Sequence, residues 1–364
     1  MNGMQAPLNT HEEMILGLRQ LYSQYGYDNC RVANFEEYDF YVQNRSALSG
    51  EEVLVFTDAD GRLMALKPDV TMSIVKNVRE GAPGLRKFSY NESVYRIPTG
   101  GTGFRESVQT GLECIGKLDT YSVCEVLMLA IRSLKTVNAR CILNLTHLEI
   151  IYGLLEQATE SEAVRASILK AMEQKNLAAL TAICQEKQIG AVCTQILQQL
   201  TGLFGPLRDT LPVVKNLAVG ERMQNACREL EEISTVMEAY GLGDQIHLDF
   251  SIRGGTDYYS GLVFQGLVPE TPDPVLRGGR YDRLINRMGK SGGGIGFAVC
   301  LDQLDNRNYQ TEKTLLIYDD NTPAAQVAKA VEEMLQAGLP VRAEREIPPE
   351  CENYRIVKLT EGGV

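Results

Sequence analysis

The chain has 364 residues, 44% hydrophobic and 23% charged, with 36 Lys+Arg against 47 Asp+Glu and a formal net charge of −11. That length suits about two domains, and the composition excludes a disordered chain, a collagen and a disulfide-stapled miniprotein. The acidic balance lacks the global positive field of a non-specific nucleic-acid binder, and no run approaches the ~20 apolar residues that span a bilayer.

The first nine residues, Met1 to Asn9, carry neither a basic end nor an apolar run, so no secretion signal is expected there. A helix is predicted from Thr10 to Tyr25. Thr10 and Glu13 form a capping-box pair, Met14, Ile15, Leu18, Leu21, Tyr22 and Tyr25 recur at helical spacing, and Gly26 supplies the C-cap. Glu52–Asp58 and Arg62–Leu66 flank the turn Ala59-Asp60-Gly61 and read as a hairpin. Pro68–Val78 reads as a short helix. Arg86–Arg96 and Glu106–Ile115 read as two strands joined by a Gly-rich turn, Thr99–Gly103.

From about Leu148 to Gly241 strand signals become sparse, and a helical insertion is predicted, with helices at Leu148–Gln157, Glu160–Gln174, Leu177–Glu186 and Met223–Tyr240, punctuated by Pro206 and Pro212. Strands resume at His247–Ile252 and Leu262–Leu267. A Gly-rich segment, Arg277–Tyr281, follows, and then a Gly-rich turn, Lys290–Gly296, leading into a helix to about Asn306. The tail from Thr314 reads strand, helix, strand, strand, with Pro323 in the first turn of the helix Thr322–Ala337. So short a piece buries little surface alone and is expected to pack on the main body or on a partner.

The nine cysteines include no C-x-x-C pair, and the three histidines no H-x-x-x-H pair, so no metal site is expected. An odd cysteine count without a secretion signal predicts reduced thiols and a cytoplasmic protein.

Four segments could carry chemistry. Asp69 and Thr71 place an acid and a hydroxyl at the start of a helix; residue types alone read Asp69 as a cap in the helix dipole. Arg96 ends one strand, and Gln109 and Glu113, four apart on the next, share a strand face. Such a set suits a zwitterion or a polar ring, and equally a solvated sheet face. Arg253–Gly261 pairs Gly254 and Gly255 with Tyr258 and Tyr259, either a pocket wall or a turn with core aromatics. Gly278–Asp282 with Gly292–Phe297 is glycine-rich but lacks P-loop spacing, and reads as turns.

In this order and spacing the segments resemble the catalytic core of class II histidyl-tRNA synthetase over about residues 8–306. Leu66–Thr71 matches its "LRPE-T", Tyr95-Arg96 with Gln109–Glu113 its motif 2, and Gly254–Gly261 its "RGLDYYTG". Gly278–Asp282 matches "GGRYD", and Gly296–Leu304 matches motif 3, "GFAxGLERL". The resemblance implies an α+β fold: a class II synthetase-like antiparallel sheet flanked by helices over 1–312, the helical insertion at about 148–241, and a small C-terminal α/β segment, 313–364. It also implies a histidine pocket. Asp69 and Thr71 would hold the ammonium, Gln109 would help bind the carboxylate, Glu113 would accept an imidazole N–H, and Tyr259 would meet the ring with Tyr258 beside it and Tyr281 nearby; Arg96, carried over with this set, keeps the motif 2 arginine that meets ATP in the family.

The departures fall mainly on the nucleotide side, although Asp69, shorter but still anionic, stands where the family has the glutamate that holds the substrate amine. Gln303 stands where the motif 3 arginine binds ATP, and an amide supplies neither the charge nor the bidentate fork a triphosphate wants. Ile97-Pro98 replaces the polar "HE" of a loop that is here one residue shorter, and Gly254 occupies the place of the histidine-specific arginine. The C-terminal segment is about half the expected anticodon-binding domain. A retained amino-acid pocket without adenylation resembles the regulatory-subunit family of ATP phosphoribosyltransferase. That likeness implies a non-catalytic, allosteric homodimer within a hetero-oligomer, the short-form catalytic subunit as partner, L-histidine as effector, and no cofactor, tRNA or membrane partner. The alternatives are a divergent active histidyl-tRNA synthetase, a related ATP-dependent amino-acid ligase, or a binding module without an enzyme partner.

Overall fold

The computed structural model describes residues 10–48, 52–79, 84–97, 103–252, 258–269, 271–304, 314–351 and 354–359; the side chains of Thr10, Ser46, Ala47, Gln303, Leu304 and Glu350 also fall outside the described set. The chain divides into two compact units, 1–305 and 306–364.

The strands of the first unit are β1 (Asp28–Asn29), β2 (Phe35–Glu37), β3 (Val55–Thr57), β4 (Leu63–Leu66), β5 (Arg86–Arg96), β6 (Arg105–Gly116), β7 (Ile142–His147), β8 (Phe204–Pro206), β9 (Ile246–Asp249), β10 (Leu262–Leu267), β11 (Leu276–Arg280) and β12 (Gly293–Cys300). Nine of them form one sheet in the order β1-β5-β6-β12-β11-β10-β7-β9-β8, and the other three form a small antiparallel sheet, β2-β4-β3. The expected antiparallel sheet is thus mixed. Its centre is antiparallel, whereas β1 runs parallel to β5 and β9 parallel to β7. The second parallel pair follows from topology: β9 returns beside β7 only after the whole insertion, and a long crossover is what parallel neighbours need.

That insertion holds α5 (Leu148–Ala158), α6 (Glu162–Glu173), α7 (Leu177–Glu186), α8 (Ala191–Gly202), α9 (Leu207–Leu217) and α10 (Gly220–Ala239). Pro206 and Pro212 do not both mark breaks. Pro206 is the N-cap of α9, but Pro212 lies inside it. The remaining helices of this unit are α1 (Thr10–Gln24), α2 (Tyr38–Gln43), α3 (Val70–Asn77), α4 (Thr120–Val137) and α11 (Asp282–Arg287). Gly26, at φ +76°, ends α1 in the left-handed conformation its sequence position predicts. The Thr10 capping side chain and most of the Thr99–Gly103 turn lie outside the described residues.

The sheet separates two apolar clusters. The larger packs α1, α4 and the insertion helices around Leu112, Phe264, Leu276, Ile295 and Phe297. Twelve residues of α4 are buried, and Asp119 caps it reciprocally with Ser122. Each fully buried leucine here contributes about 1.5–3 kcal/mol. The smaller cluster gathers Val70, Met72, Ile74 and Val75 of α3 with Tyr90, Ile115, Tyr281, Leu284 and Ile285.

The predicted turn and helix at 290–306 are instead β12 and a short 3-10 turn, Leu301–Leu304. Glycine disfavours an isolated strand, but here tertiary space overrides propensity. A Cβ at Gly294 would lie 2.1 Å from the Tyr281 ring, and one at Gly296 would lie 1.9 Å from Glu113 Oε2. Only bare backbone admits both neighbours.

In the second unit β13 (Thr314–Ile317) lies between β14 (Val341–Glu344) and β15 (Arg355–Lys358), both parallel to it. Its helix α12 (Ala324–Gln336) buries Ala330 and Met334 with Leu316 and Leu359.

Gly278 tests the packing of the sheet's other face, where a Cβ would meet Gly296 O at 2.4 Å and Phe264 at 2.6 Å. Gly278→Ala is expected to cost about 1–3 kcal/mol through overpacking, lowering the melting temperature by about 2–4 °C per kcal/mol. Gly190→Ala, with nothing within 4 Å, is the control and should leave the thermal melt near wild type.

Candidate functional site

Period-2 alternation aims one residue in two of the central strands at the same face. On β6 these are Gln109, Gly111 and Glu113, opposite Cys300, Ala298 and Gly296 of β12. On β11 they are Arg277 and Gly279, opposite Ala298 and Gly296. The run of glycine and alanine carves a hollow in the sheet surface. Its walls come from the start of α3, the end of β5 and the Tyr258-Tyr259 segment.

The result is a pocket of about 140 Å³ lined by Asp69, Thr71, Tyr90, Arg96, Gln109, Glu113, Tyr258, Tyr259, Arg277, Tyr281 and Cys300, together with glycine, alanine and Phe297 from β11 and β12. That volume is close to the ~150 Å³ that admits a benzene ring. All eight residues singled out in the sequence therefore line one pocket.

Glu113 sits at its base, 1% exposed. Thr71 Oγ1 donates to its Oε1 at 2.5 Å, and the Tyr281 hydroxyl donates to its Oε2 at 2.6 Å. A solvated sheet face is excluded: Gln109 is only 8% exposed. Burial pushes the Glu113 carboxyl up to about 8; the two hydroxyl donors oppose that rise and the nearby Asp69 charge adds to it.

Asp69 is both cap and pocket residue. Its Oδ1 accepts the Met72 N–H at 2.8 Å, while its Oδ2 lies 3.4 Å from Arg96 Nη2. Arg96 also donates from Nε to the Pro68 carbonyl at 2.5 Å, and the Tyr258 hydroxyl reaches Asp69 Oδ1 at 3.5 Å. The rings of Tyr258 and Tyr259 meet edge to face at 4.8 Å. Burial raises the phenols of Tyr258, Tyr259 and Tyr281, so they act as neutral donors and ring surfaces.

Beneath the wall, Lys67, fully buried, pairs with Glu92 at 2.7 Å and fixes β5 against the start of α3. Gln109 Nε2 approaches Cys300 Sγ at 3.8 Å. The 3-10 turn is tethered to β6 by the Val108 N–H, which donates to Asp302 at 3.0 Å. Gly254 and the Gln303 side chain lie outside the described residues. Tyr90, Arg277 and Cys300 are not among the sequence candidates; period-2 alternation from Gly279 reaches Arg277, whereas Cys300 comes into view only through the pairing of β12 with β6. Among the described residues no cluster of three or more His, Cys, Asp or Glu could hold a metal ion, and no helix is long and apolar enough to cross a membrane.

The sequence model of histidyl-tRNA synthetase matches residues 5–304. The chain belongs to the histidyl-tRNA synthetase family. It is 27% identical over 292 residues to an ATP phosphoribosyltransferase regulatory subunit of Ruminiclostridium cellulolyticum, covering 79% of this chain and 70% of that one. A protein of the same description from Bacillus mycoides is 27% identical over 299 residues, covering 80% and 71%. Among solved structures, an ATP phosphoribosyltransferase regulatory subunit/histidyl-tRNA synthetase from Bacillus halodurans superposes with a TM-score of 0.77 at 22% identity, over 98% of this chain and 96% of that one. A chain of the ATP phosphoribosyl transferase (HisG:HisZ) complex from Thermotoga maritima gives 0.63 at 18%, over 82% and 98%. At these identities the solved structures establish the fold.

The Glu113 environment has a consequence for pH. A carboxyl whose folded pKa is raised from 4.5 to about 8 contributes stability that is fully present below 4.5 and is lost as pH rises through 8. Ligand-free wild type should therefore lose more stability between pH 5 and pH 8, by urea denaturation, than Glu113→Gln. Equal losses would contradict the assignment.

Proposed function

We propose that this chain is the non-catalytic regulatory subunit of ATP phosphoribosyltransferase. In this reading it activates the short catalytic subunit and senses L-histidine for feedback inhibition of the first step of histidine biosynthesis, in the cytoplasm. The observation that carries the reading is a pocket that keeps most of an amino-acid-binding set in a sequence that has lost nucleotide contacts. Its amino-acid end is largely kept: a buried carboxyl for a ring N–H, an acid and a hydroxyl for an ammonium, Gln109 near a carboxylate, and three tyrosines around a ring-sized space, although Gly254 stands in place of the histidine-specific arginine. The sequence alters the family's nucleotide contacts. Cys300 fills the pocket edge where the motif 3 pattern has glycine, Gln303 replaces the arginine, and Ile97 replaces a polar loop residue. The names of the relatives agree with this reading.

Asp69 and Thr71 would receive the ammonium. Glu113 would accept an imidazole N–H, giving up part of its internal hydrogen bonding to do so. Tyr258, Tyr259 and Tyr281 would flank the ring, and Arg96 would hold Asp69 in place. No chemistry is required of the pocket. Regulation needs only that histidine bind one assembly state more tightly than another. A homodimer is supported by exposed apolar residues on the small sheet, Phe35, Val55 and Leu63.

The test is twofold. Light scattering after gel filtration should show this chain co-eluting with the short catalytic subunit as a hetero-oligomer. Histidine-dependent ATP–pyrophosphate exchange should stay at background, and Gln303→Arg alone should not raise it. Histidyl-adenylate formed by the wild-type chain, with no co-elution, would favour the synthetase instead.

A further inference from the structure

A free amino acid brings a carboxylate as well as an ammonium and a side chain, and a low-dielectric pocket must neutralise all of its charges. Four ionisable side chains other than tyrosine and cysteine line this one: Asp69, Glu113, Arg96 and Arg277. Arg96 is already committed to the Pro68 carbonyl and to Asp69. Glu113 is engaged by two hydroxyls. Arg277 is different. Among the described residues it makes no ion pair or side-chain hydrogen bond, which leaves its guanidinium uncommitted to any of them.

Its placement is set by the sheet. On β11 it stands opposite Ala298 of β12 and Gln265 of β10. The small Ala298 leaves the floor beside it open. Its field reaches across the pocket, since the Arg277 charge opposes the burial-driven rise of both the Tyr259 phenol and the Cys300 thiol. A guanidinium in that position presents a planar fork suited to a carboxylate.

We infer that Arg277 is the specificity-determining cation that binds the α-carboxylate of the pocket's amino-acid ligand, opposite the Asp69 end that takes its ammonium. The inference rests on the amino-acid reading of the pocket given above and names the residue that makes it selective for acids over amines. The pocket should thus prefer L-histidine over histamine, which has the same ring and amine but no carboxylate.

Calorimetric titration of the full chain tests this. Wild type should bind L-histidine about ten- to a hundredfold more tightly than histamine, the range expected for a charged hydrogen-bonded pair. Arg277→Ala should weaken L-histidine by a similar factor and leave histamine unchanged, erasing the preference. Arg277→Lys should recover part of it. Arg277 is exposed, so the thermal melts of both variants should stay near wild type. If Arg277→Ala binds L-histidine as wild type does, with the same preference over histamine, the Arg277 assignment falls and the histidine pocket stands. If wild type binds neither ligand, the histidine reading fails and takes the assignment with it.

Discussion

At the centre of the sheet a carboxyl group is shut away from water with each oxygen claimed by one hydroxyl, Thr71 from α3 and Tyr281 from the end of β11. An unpartnered buried carboxyl would be costly, so these two contacts hold α3 over β6 and bring the residue that follows β11 back across β12 to it. The glycines of β12 follow from the same constraint. Gly296 leaves room for the Glu113 oxygen and Gly294 for the Tyr281 ring. Sequence segments about 170 residues apart are thereby locked into one wall and one floor. The pocket is the space left when that packing is satisfied.

The same strand end joins the pocket to the insertion. Next to Tyr281, Arg280 pairs with Asp282 at 2.8 Å and reaches Glu229 of α10 at 3.7 Å. Glu229 also meets His147, which caps α5, at 3.2 Å. Burial alone would raise the Glu229 carboxyl, but the His147 hydrogen bond and the Arg280 guanidinium hold it below the usual range. Two insertion helices are therefore tied electrostatically to the strand whose next residue holds Glu113.

Much of this architecture is legible in the sequence, because periodicity and caps are local. α1, α7, the β5–β6 pair and β10 lie within a residue or two of their predicted bounds. The helix α4 is not among the predicted elements, and the unbroken buried run Ser122–Ile131 blurs the one-sided periodicity that marks a surface helix. β12 was misread because glycine runs signal turns, and the reason for those glycines lies on other strands. The eight site residues were found through motif order, and the structure gathers them at one pocket. Their burial was not legible: Gln109 and Glu113 have the composition of a wet face, and only the distant Tyr281 and α3 seal them. Arg277 lies just before the matched Gly278–Asp282 segment, and Cys300, inside the motif 3 match, reaches the pocket side only because β12 is a strand paired with β6.

We propose that this fold has kept amino-acid recognition while giving up adenylation for regulation. The most direct measurement is the rate of the short ATP phosphoribosyltransferase catalytic subunit with ATP and phosphoribosyl pyrophosphate, with and without this chain, followed by L-histidine. The account predicts that the chain raises the rate, that histidine lowers it again, and that a complex carrying Glu113→Ala stays active but no longer responds to histidine. A rate indifferent to this chain would contradict the claim.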